Sequence, residues 1–184
     1  MNAVDDLRAE HEGILRMLGI MRVMAERIGH GRKIPAGHVE SVIDFLRLFA
    51  DQCHHGKEED IFFPELERAG IPHEGGPIGV MLYEHILGRE HIRAMVEASA
   101  RLGDTGGEGY QDLRAAMLDY SGLLTRHIAK ENEVLFPLAE KVLSLGVIEA
   151  LHERFEQLER ERIGFGVHEA FHRLLDELAA EYRA

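Results

Sequence analysis

Between Val4 and Ile28 the apolar positions recur at alternating steps of four and three residues. This spacing places them on one face of an α-helix, because residues three and four apart lie about one turn apart. One position on this face holds His11, where a leucine would fit the pattern. The pattern therefore predicts an amphipathic helix from Val4 to about Ile28 with a polar residue inside its apolar stripe. The stripe consists of Leu7, His11, Ile14, Leu18, Met21, Ala25 and Ile28.

Three further segments show the same spacing, and each has a histidine within its stripe. The second helix is predicted to begin near Gly37, the third at Pro77, and the fourth after the glycine-rich turn 103–109. Pro64 and Pro137 remove backbone donors, so we expect them to kink or loosen the late turns of the second and fourth helices. The three stripes are Ile43, Leu46, Ala50, His54, Glu58 and Ile61; Ile78, Met81, His85, Gly88, Ile92 and Met95; and Leu113, Met117, Tyr120, Leu124, His127 and Glu131.

Four long amphipathic helices joined by short loops predict an all-α fold, an up-down-up-down four-helix bundle over residues 1–143. Two shorter helical stretches follow, from Val147 to about Arg162 and from Val167 to about Tyr182. They are too small to form a domain alone. We therefore expect residues 144–184 to be a C-terminal helical extension that packs on the bundle within the same domain.

The ends of the second and fourth predicted helices carry one motif twice, 73 residues apart. In each copy a histidine precedes a glutamate by four residues, so both side chains lie on one helix face. Imidazole nitrogen and carboxylate oxygen are ligands that suit iron, and also zinc or manganese. The matching residues are His54, Glu58, Phe63 and Pro64 in the first copy and His127, Glu131, Phe136 and Pro137 in the second.

The four stripe histidines are predicted to meet at one end of the bundle. His11 and His85 lie near the starts of their helices, whereas His54 and His127 lie late in theirs. In an antiparallel bundle these places coincide. Burying several imidazoles and two carboxylates without a compensating charge is costly, and a bound dication removes that cost. The pattern therefore predicts a metal site inside the bundle.

The overall charge narrows the classes of function. The chain has 33 acidic and 21 basic residues, a formal net charge of -12 and no stretch rich in Lys and Arg, so we expect no nucleic-acid partner.

No apolar run is long enough to cross a membrane, and residues 1–6 do not resemble a signal peptide, so we expect no membrane partner. The single cysteine, Cys53, cannot form an internal disulfide, which favours a reducing compartment. The expected localisation is cytoplasmic.

These residues, in this order, resemble the hemerythrin-like family, also called HHE cation-binding proteins. The resemblance covers roughly residues 5–140. It implies a four-helix bundle around a non-haem di-iron centre whose two iron ions are bridged by an oxo or hydroxo group. It also implies that Glu58 and Glu131 bridge the irons and that histidines fill the terminal positions. The residues that carry it are His11, His54, His55, Lys57, Glu58, Glu59, Phe63, Pro64, Glu84, His85, His127, Glu131, Phe136 and Pro137.

The sequence departs from the oxygen-carrying members of that family at two positions. Those proteins have a second histidine four residues after the one that corresponds to His85, where this chain has Arg89. They also have an aspartate five residues after the last histidine, where this chain has Asn132. We expect His55 to supply the missing fifth imidazole; the alternative is a histidine outside the first layer of ligands or on the surface. We still expect a metal site despite these departures, but they weaken the case for reversible oxygen carriage.

Several other polar residues have weaker patterns. Glu59 and Glu84 are candidates for orienting the ligand imidazoles as hydrogen-bond acceptors, although solvated helix faces would explain both equally well. His91 lies six residues after His85, a spacing that turns it away from the site. His168 and His172 lie in the C-terminal helices without partner glutamates, so we interpret all three histidines as structural.

Two main hypotheses for function follow. The first is a non-enzymatic di-iron protein that binds or senses a small diatomic ligand, O2 or NO, or that holds iron. The second is a reactive di-iron protein that handles NO or peroxide, or that donates iron to iron–sulfur repair. A structural bundle that holds zinc or mixed metals is a third. A sensor of this kind would need a protein partner, because the sequence contains no output domain.

Overall fold

The computed structural model describes residues 2–103, 107–164 and 166–183, and within these ranges it contains helices and turns but no strand. Each predicted helix is present, and none of the described helices has the length and apolar character to cross a membrane. The α-helices are α1 (Ala3–Gly29), α2 (Ala36–Asp44), α3 (Phe63–Arg68), α4 (Pro77–Ser99), α5 (Glu108–Lys130), α6 (Phe136–Val142), α7 (Leu145–Arg162) and α8 (Val167–Tyr182). The wider π-helical segments are π1 (Phe45–His55), π2 (Glu58–Phe62) and π3 (Glu131–Leu135).

The four helices of the bundle are α1, the continuous run 36–68, α4 and the continuous run 108–142. We call the run 36–68 the second bundle helix and the run 108–142 the fourth. α5 packs against both α1 and α4, and α2 and π1 pack against α4. This arrangement confirms the predicted all-α bundle.

α1 begins where the sequence offers a capping group. The side-chain oxygen of Asn2 accepts hydrogen bonds from the backbone N–H groups of Val4 and Asp5, at 3.0 and 3.1 Å. The Asp5 carboxylate accepts in turn from the backbone N–H of Asn2, so three N–H groups at the helix start are paired. Every residue of the predicted stripe is buried, His11 included.

The second and fourth bundle helices do not end at their prolines, contrary to a simple reading of proline as a helix breaker. Pro64 and Pro137 are the second residues of α3 and α6, and each follows directly after a π-helical segment. A proline ring clashes with the carbonyl four residues earlier and cannot donate a hydrogen bond. The π-turn, with its i→i+5 spacing, relaxes both constraints. The predicted loosening is therefore present as a local widening, and the helix continues beyond it.

The core consists of two apolar clusters, one on each side of a polar layer. One cluster joins the later part of α1, α2 and π1 to the C-terminal half of α4 and to α5. The other joins the start of α1 to π2, α3, the start of α4 and α6. The residues His11, His54, His85, His127 and Glu131 belong to neither cluster and are buried. The sequence therefore places a polar layer between two hydrophobic regions.

α7 and α8 pack on the bundle from one side. α7 contacts α1, π1 and π2, and α8 contacts α1 and π1. Phe155 of α7 joins one apolar cluster and Phe171 of α8 joins the other, so the pair spans the polar layer. Assignment of residues 144–184 to the same domain as the bundle stays a prediction.

Candidate metal centre

The structure brings the seven predicted ligand residues together in the polar layer. Their ligand atoms form two groups, and within each group all of these atoms lie within 4.8 Å of one another. Glu58 belongs to both groups, so the layer offers two neighbouring sets of ligands that share a carboxylate. The first group is His55, Glu58, His85 and His127, and the second is His11, His54, Glu58 and Glu131.

Each histidine of the four stripes has its Nδ1 atom turned outward to an oxygen. The distances are 2.8 Å from His54 to Glu10, 2.7 Å from His85 to Glu59, 3.0 Å from His127 to Glu84 and 3.0 Å from His11 to Asn132. Because a carboxylate only accepts, the ring nitrogen beside it donates its proton, and Nε2 is left with a lone pair. Glu59 and Glu84 thus occupy the positions predicted for them, whereas Glu10 and Asn132 were not predicted as partners.

The Nε2 atoms point inward, toward the two buried carboxylates. Glu131 lies 3.2 Å from Nε2 of both His11 and His127. Glu58 lies 3.5 Å from Nε2 of His54 and 3.4 Å from Nε2 of His85. All four carboxylate oxygens of this pair are buried without a hydrogen-bond partner.

Two of the inward nitrogens face each other closely. Nε2 of His85 and Nε2 of His127 are 3.1 Å apart, while Nδ1 of each ring donates to a carboxylate. Two lone pairs at that distance repel, and no proton is left to join them unless one ring becomes cationic. A metal cation bound by both nitrogens resolves the conflict, so the donor atoms fit a bound metal.

His55 lies in the same layer. It is buried, and its ring stacks on that of His85 with 3.8 Å between centroids. Its Nδ1 lies 3.5 Å from the carboxylate of Asp51, and its Nε2 has no hydrogen-bond partner. The structure therefore places it with the candidate ligands and not on the surface. Its role as a ligand stays a prediction, as does that of the other six.

Charges within the layer are poorly balanced. Burial, reinforced by the neighbouring Glu131 carboxylate, raises the pKa of Glu58 well above its usual range. Burial also acts to raise the pKa of Glu131, but His127 and His11 outweigh it and the pKa is lowered. Burial and the neighbouring His11 ring hold the pKa of His54 well below its usual range. A dication would stabilise both carboxylates in the charged form and bind the imidazoles in the neutral form.

Comparison with known proteins agrees with this chemistry. The model of the hemerythrin HHE cation binding domain matches residues 2–139, which is most of the chain. The chain belongs to the hemerythrin family. Similar curated proteins include uncharacterized proteins of Mycobacterium tuberculosis and Mycobacterium bovis, each 27% identical over 164 residues. The alignments cover 89% of this hemerythrin-like chain, which spans 64% of the length of those relatives. No solved structure gave a significant match.

The hemerythrin-like centre has an internal two-fold pattern that the sequence reasoning described only in part. Lys57 and Lys130 also match at the 73-residue spacing, and each directly precedes a carboxylate of the layer. The Lys57 ammonium donates to Glu10, and the Lys130 ammonium donates to Glu84. Glu10 directly precedes His11, just as Glu84 directly precedes His85. The repeated His-x-x-Lys-Glu spacing and the repeated Glu-His pair were the available signals.

Only one of the two lysines is covered by the C-terminal helices. Lys57 also donates to Glu159 of α7 at 2.7 Å, and Glu159 lies 3.0 Å from Nδ1 of His168 in α8. Burial acts to lower the pKa of Lys57, but Glu10 outweighs it and the pKa is raised, so the ammonium stays charged. Glu10, Glu159 and His168 could geometrically hold a metal. Lys57 already supplies the cation there.

Other predicted residues lie outside the polar layer. His168 lies 3.0 Å from Glu159 and orients that carboxylate beside Lys57, and its interpretation as structural stays a prediction. His91 is half-buried and His172 is exposed, and neither joins a group of potential ligands among the residues that the structure describes. Burial raises the pKa of Cys53 to about 12, which fits an unreactive thiol.

Proposed function

We propose that this hemerythrin-like protein holds two iron ions in the polar layer and binds a small diatomic ligand, O2 or NO, there. The observation that carries the proposal is the arrangement of the five imidazoles around two buried carboxylates whose oxygens lack partners. Nitrogen and carboxylate donors together suit iron. The family relationship supports a cation, and the choice of iron is part of the proposal.

The two carboxylates are suited to bridging because each lies between histidines of both groups. Glu58 contacts His54 of one group and His85 of the other, and Glu131 contacts His11 of one and His127 of the other. In the proposed centre Glu58 and Glu131 would supply carboxylate oxygens to the ions, and the five histidines would supply imidazole nitrogens. When bound there, iron would supply the electrons for reversible binding of a diatomic molecule.

The rest of the chain excludes water and fixes the ligands. Phe62, Phe63 and Phe136 are buried in the apolar cluster beside the layer, and the Phe136 ring stacks 5.3 Å from that of His11. An apolar lining keeps water from the ions, so a neutral diatomic molecule is favoured over a charged or larger ligand. This burial supports ligand binding over iron donation, because a donor has to release its metal.

Metal content and the ultraviolet–visible spectrum test the proposal directly. The purified chain is analysed for metal, then its spectrum is recorded in air, after reduction by dithionite, and after renewed exposure to O2 or NO. We expect two irons per chain and a near-ultraviolet absorption that bleaches on reduction and changes reversibly with the gas. Glu58→Gln should lower the iron content, whereas Glu133→Gln should not, because Glu133 is exposed on the same helix run as Glu131.

The other outcomes separate the alternatives. Iron that oxidises once and never responds reversibly would favour the reactive protein that handles NO or peroxide, or iron donation. Zinc or manganese in the purified chain, with no iron taken up on reconstitution, would contradict the di-iron proposal. Circular dichroism of each variant shows whether a lost metal reflects a lost ligand or a lost fold.

A further inference from the structure

A groove lies between π1 and α4, on the outer side of His55. It encloses about 340 Å³, and three of the residues that line it are arginines. Arg47 and Asp51 come from π1, four residues apart, and Arg89 and Arg93 come from α4, also four residues apart. The lining residues are Arg47, Asp51, Arg89, Ile92, Arg93 and Val96.

The groove is locally basic in an acidic protein. Its lining carries three guanidinium groups and one carboxylate, whereas the whole chain has a formal net charge of -12. Within the described part of the chain, Arg47 and Arg93 make no salt bridge and no side-chain hydrogen bond, so both can meet a ligand.

Arg89, which lines the groove, is held in place by two carboxylates. Its Nε donates to Asp51 at 2.7 Å, and one terminal nitrogen donates to Glu59 at 2.7 Å. Among the described residues its other terminal nitrogen has no partner, and that group keeps two N–H donors. A planar guanidinium with a fixed orientation suits an oxoanion better than a flexible ammonium does.

We propose that this groove binds a small multivalent oxoanion of the phosphate type. Arg47 and Arg93 supply the flanking charges, and the terminal nitrogen of Arg89 that has no partner binds the anion. A multivalent anion is favoured because Asp51 opposes part of the positive charge, so a monovalent ion gains little. Nothing in this step depends on a metal.

A bound anion would reach the metal centre through Arg89. Both carboxylates that pair with Arg89 also face histidines of the layer. Asp51 lies 3.5 Å from Nδ1 of His55, and Glu59 lies 2.7 Å from Nδ1 of His85. An anion that attracts Arg89 leaves both carboxylates freer to accept from the histidines. Carboxylates of this kind set the orientation and basicity of ligand imidazoles. This second step rests on the proposed metal site, whereas binding of the anion does not.

Calorimetric titration of inorganic pyrophosphate and of inorganic phosphate into the metal-loaded chain tests the proposal. We expect saturable binding at low salt that weakens as sodium chloride is added, because the charges are exposed. The double variant Arg47→Gln/Arg93→Gln should bind at least about ten-fold more weakly. A control of equal charge, Arg16→Gln/Arg101→Gln, should bind as the parent does, because those arginines pair with Asp176 and Asp112 elsewhere.

Asp51→Asn provides a test of opposite sign. It removes the carboxylate that competes for Arg89, so pyrophosphate should bind several-fold more tightly than to the parent chain. Unchanged affinity in the groove variant, or an equal loss in the control variant, would overturn the site. Phosphate monoesters distinguish the source of the anion, since a nucleotide that binds more tightly than free phosphate identifies an esterified ligand.

Repeating the titration without metal separates this proposal from the di-iron centre. The anion should bind the metal-free chain as well, even if no iron is ever found. In the zinc-loaded chain, nuclear magnetic resonance should show the Nδ1–H signals of His55 and His85 moving as pyrophosphate binds. Binding without any movement of these signals would reject the coupling and retain the site.

Discussion

The two halves of the metal centre have matching residues in different surroundings. In the first half His54 donates to Glu10, which accepts from Lys57; in the second half His127 donates to Glu84, which accepts from Lys130. The Lys57 side chain is 4% exposed and the Lys130 side chain is 39% exposed. α7 makes the difference, because it brings Glu159 onto Lys57 and covers that half. The same sequence motif thus gives a buried ion pair on one side and a solvated one on the other.

A second difference concerns the other pair of histidines. His85 faces the Glu59 carboxylate, whereas His11 faces the neutral amide of Asn132 at the matching position. Arg89 draws on Glu59 as well, so that carboxylate serves two donors. All candidate ligands except His55 have a counterpart in the other half, whereas the supporting Glu59 has the neutral Asn132 in its place. The supporting groups are where the halves acquire different properties.

The largest expected effect comes from removing each lysine in turn. Lys57→Met keeps the stem but leaves the Glu10 carboxylate buried without its cation, which should cost about 3–5 kcal/mol of unfolding free energy. Lys130→Met should cost about 0–1 kcal/mol, because water replaces the exposed ammonium. Urea unfolding of the metal-free variants measures both values. Equal losses would show that the cover provided by α7 does not matter.

The next effect concerns metal affinity. Glu10→Gln and Glu84→Gln each weaken a hydrogen bond that orients a ligand histidine, and such changes typically cost about 10–100-fold in metal affinity. We expect the Glu10 variant to lose more, because the glutamine also leaves Lys57 buried with one fewer partner. Competition with a chelator gives the two affinities. A larger loss of metal affinity in the Glu84 variant would contradict the expectation that the half covered by α7 is the more sensitive one.

A smaller effect should follow from making the halves more alike. Asn132→Asp gives His11 a carboxylate partner like that of His85 and adds negative charge near the proposed irons. Added negative charge stabilises the oxidised metal pair, so the reduction potential should fall. Potentiometric titration followed by absorption measures the shift. Asn132→Ala is the control, and it should weaken metal binding without lowering the potential.

The smallest effect is a dependence on pH confined to the covered half. The hydrogen bond to Glu159 raises the pKa of His168 above its usual value of 6.5. The contribution of protonated His168 to the free energy of unfolding is therefore complete below pH 6.5. It is lost as the pH rises through the raised pKa of His168 in the folded protein, and the loss is under about 1 kcal/mol. The free energy of unfolding, measured from pH 6 upward, should show this loss in the parent chain and in the His172→Gln variant, but not in the His168→Gln variant. A loss that persists in His168→Gln would assign it to another group.

The helices and the grouping of the candidate ligands in one polar layer were predictable from the sequence, because both follow from helical spacing. His11, His54, His85 and His127 interrupt regular apolar stripes, and the carboxylates lie four residues after two of them. The partners of Nδ1 were harder to predict, because they depend on which helices are neighbours. Glu59 and Glu84 lie beside candidate ligands in the chain and were named as candidates for this role, yet Glu10 is equally close to His11 and was overlooked.

The contacts of α7 and α8 could not be predicted in the same way. Glu159 meets Lys57 across 102 residues of chain, and no spacing rule links two positions so far apart. The loosening at Pro64 and Pro137 was predicted, but its form as a π-helical segment was not. A π-turn is set by the balance between backbone hydrogen bonds and packing, and the residue types alone do not reveal it.

The position of Glu159 also sets an order of events during synthesis. A ribosome makes the chain from its N-terminus, so all seven candidate ligands have been added before residue 145, where α7 begins. A nascent bundle can therefore assemble its ligands while Lys57 still faces water. When α7 and α8 leave the ribosome and dock, Glu159 closes that side after the candidate ligands are already in place. Metal that enters the nascent chain through the open side would then be enclosed as these two helices dock.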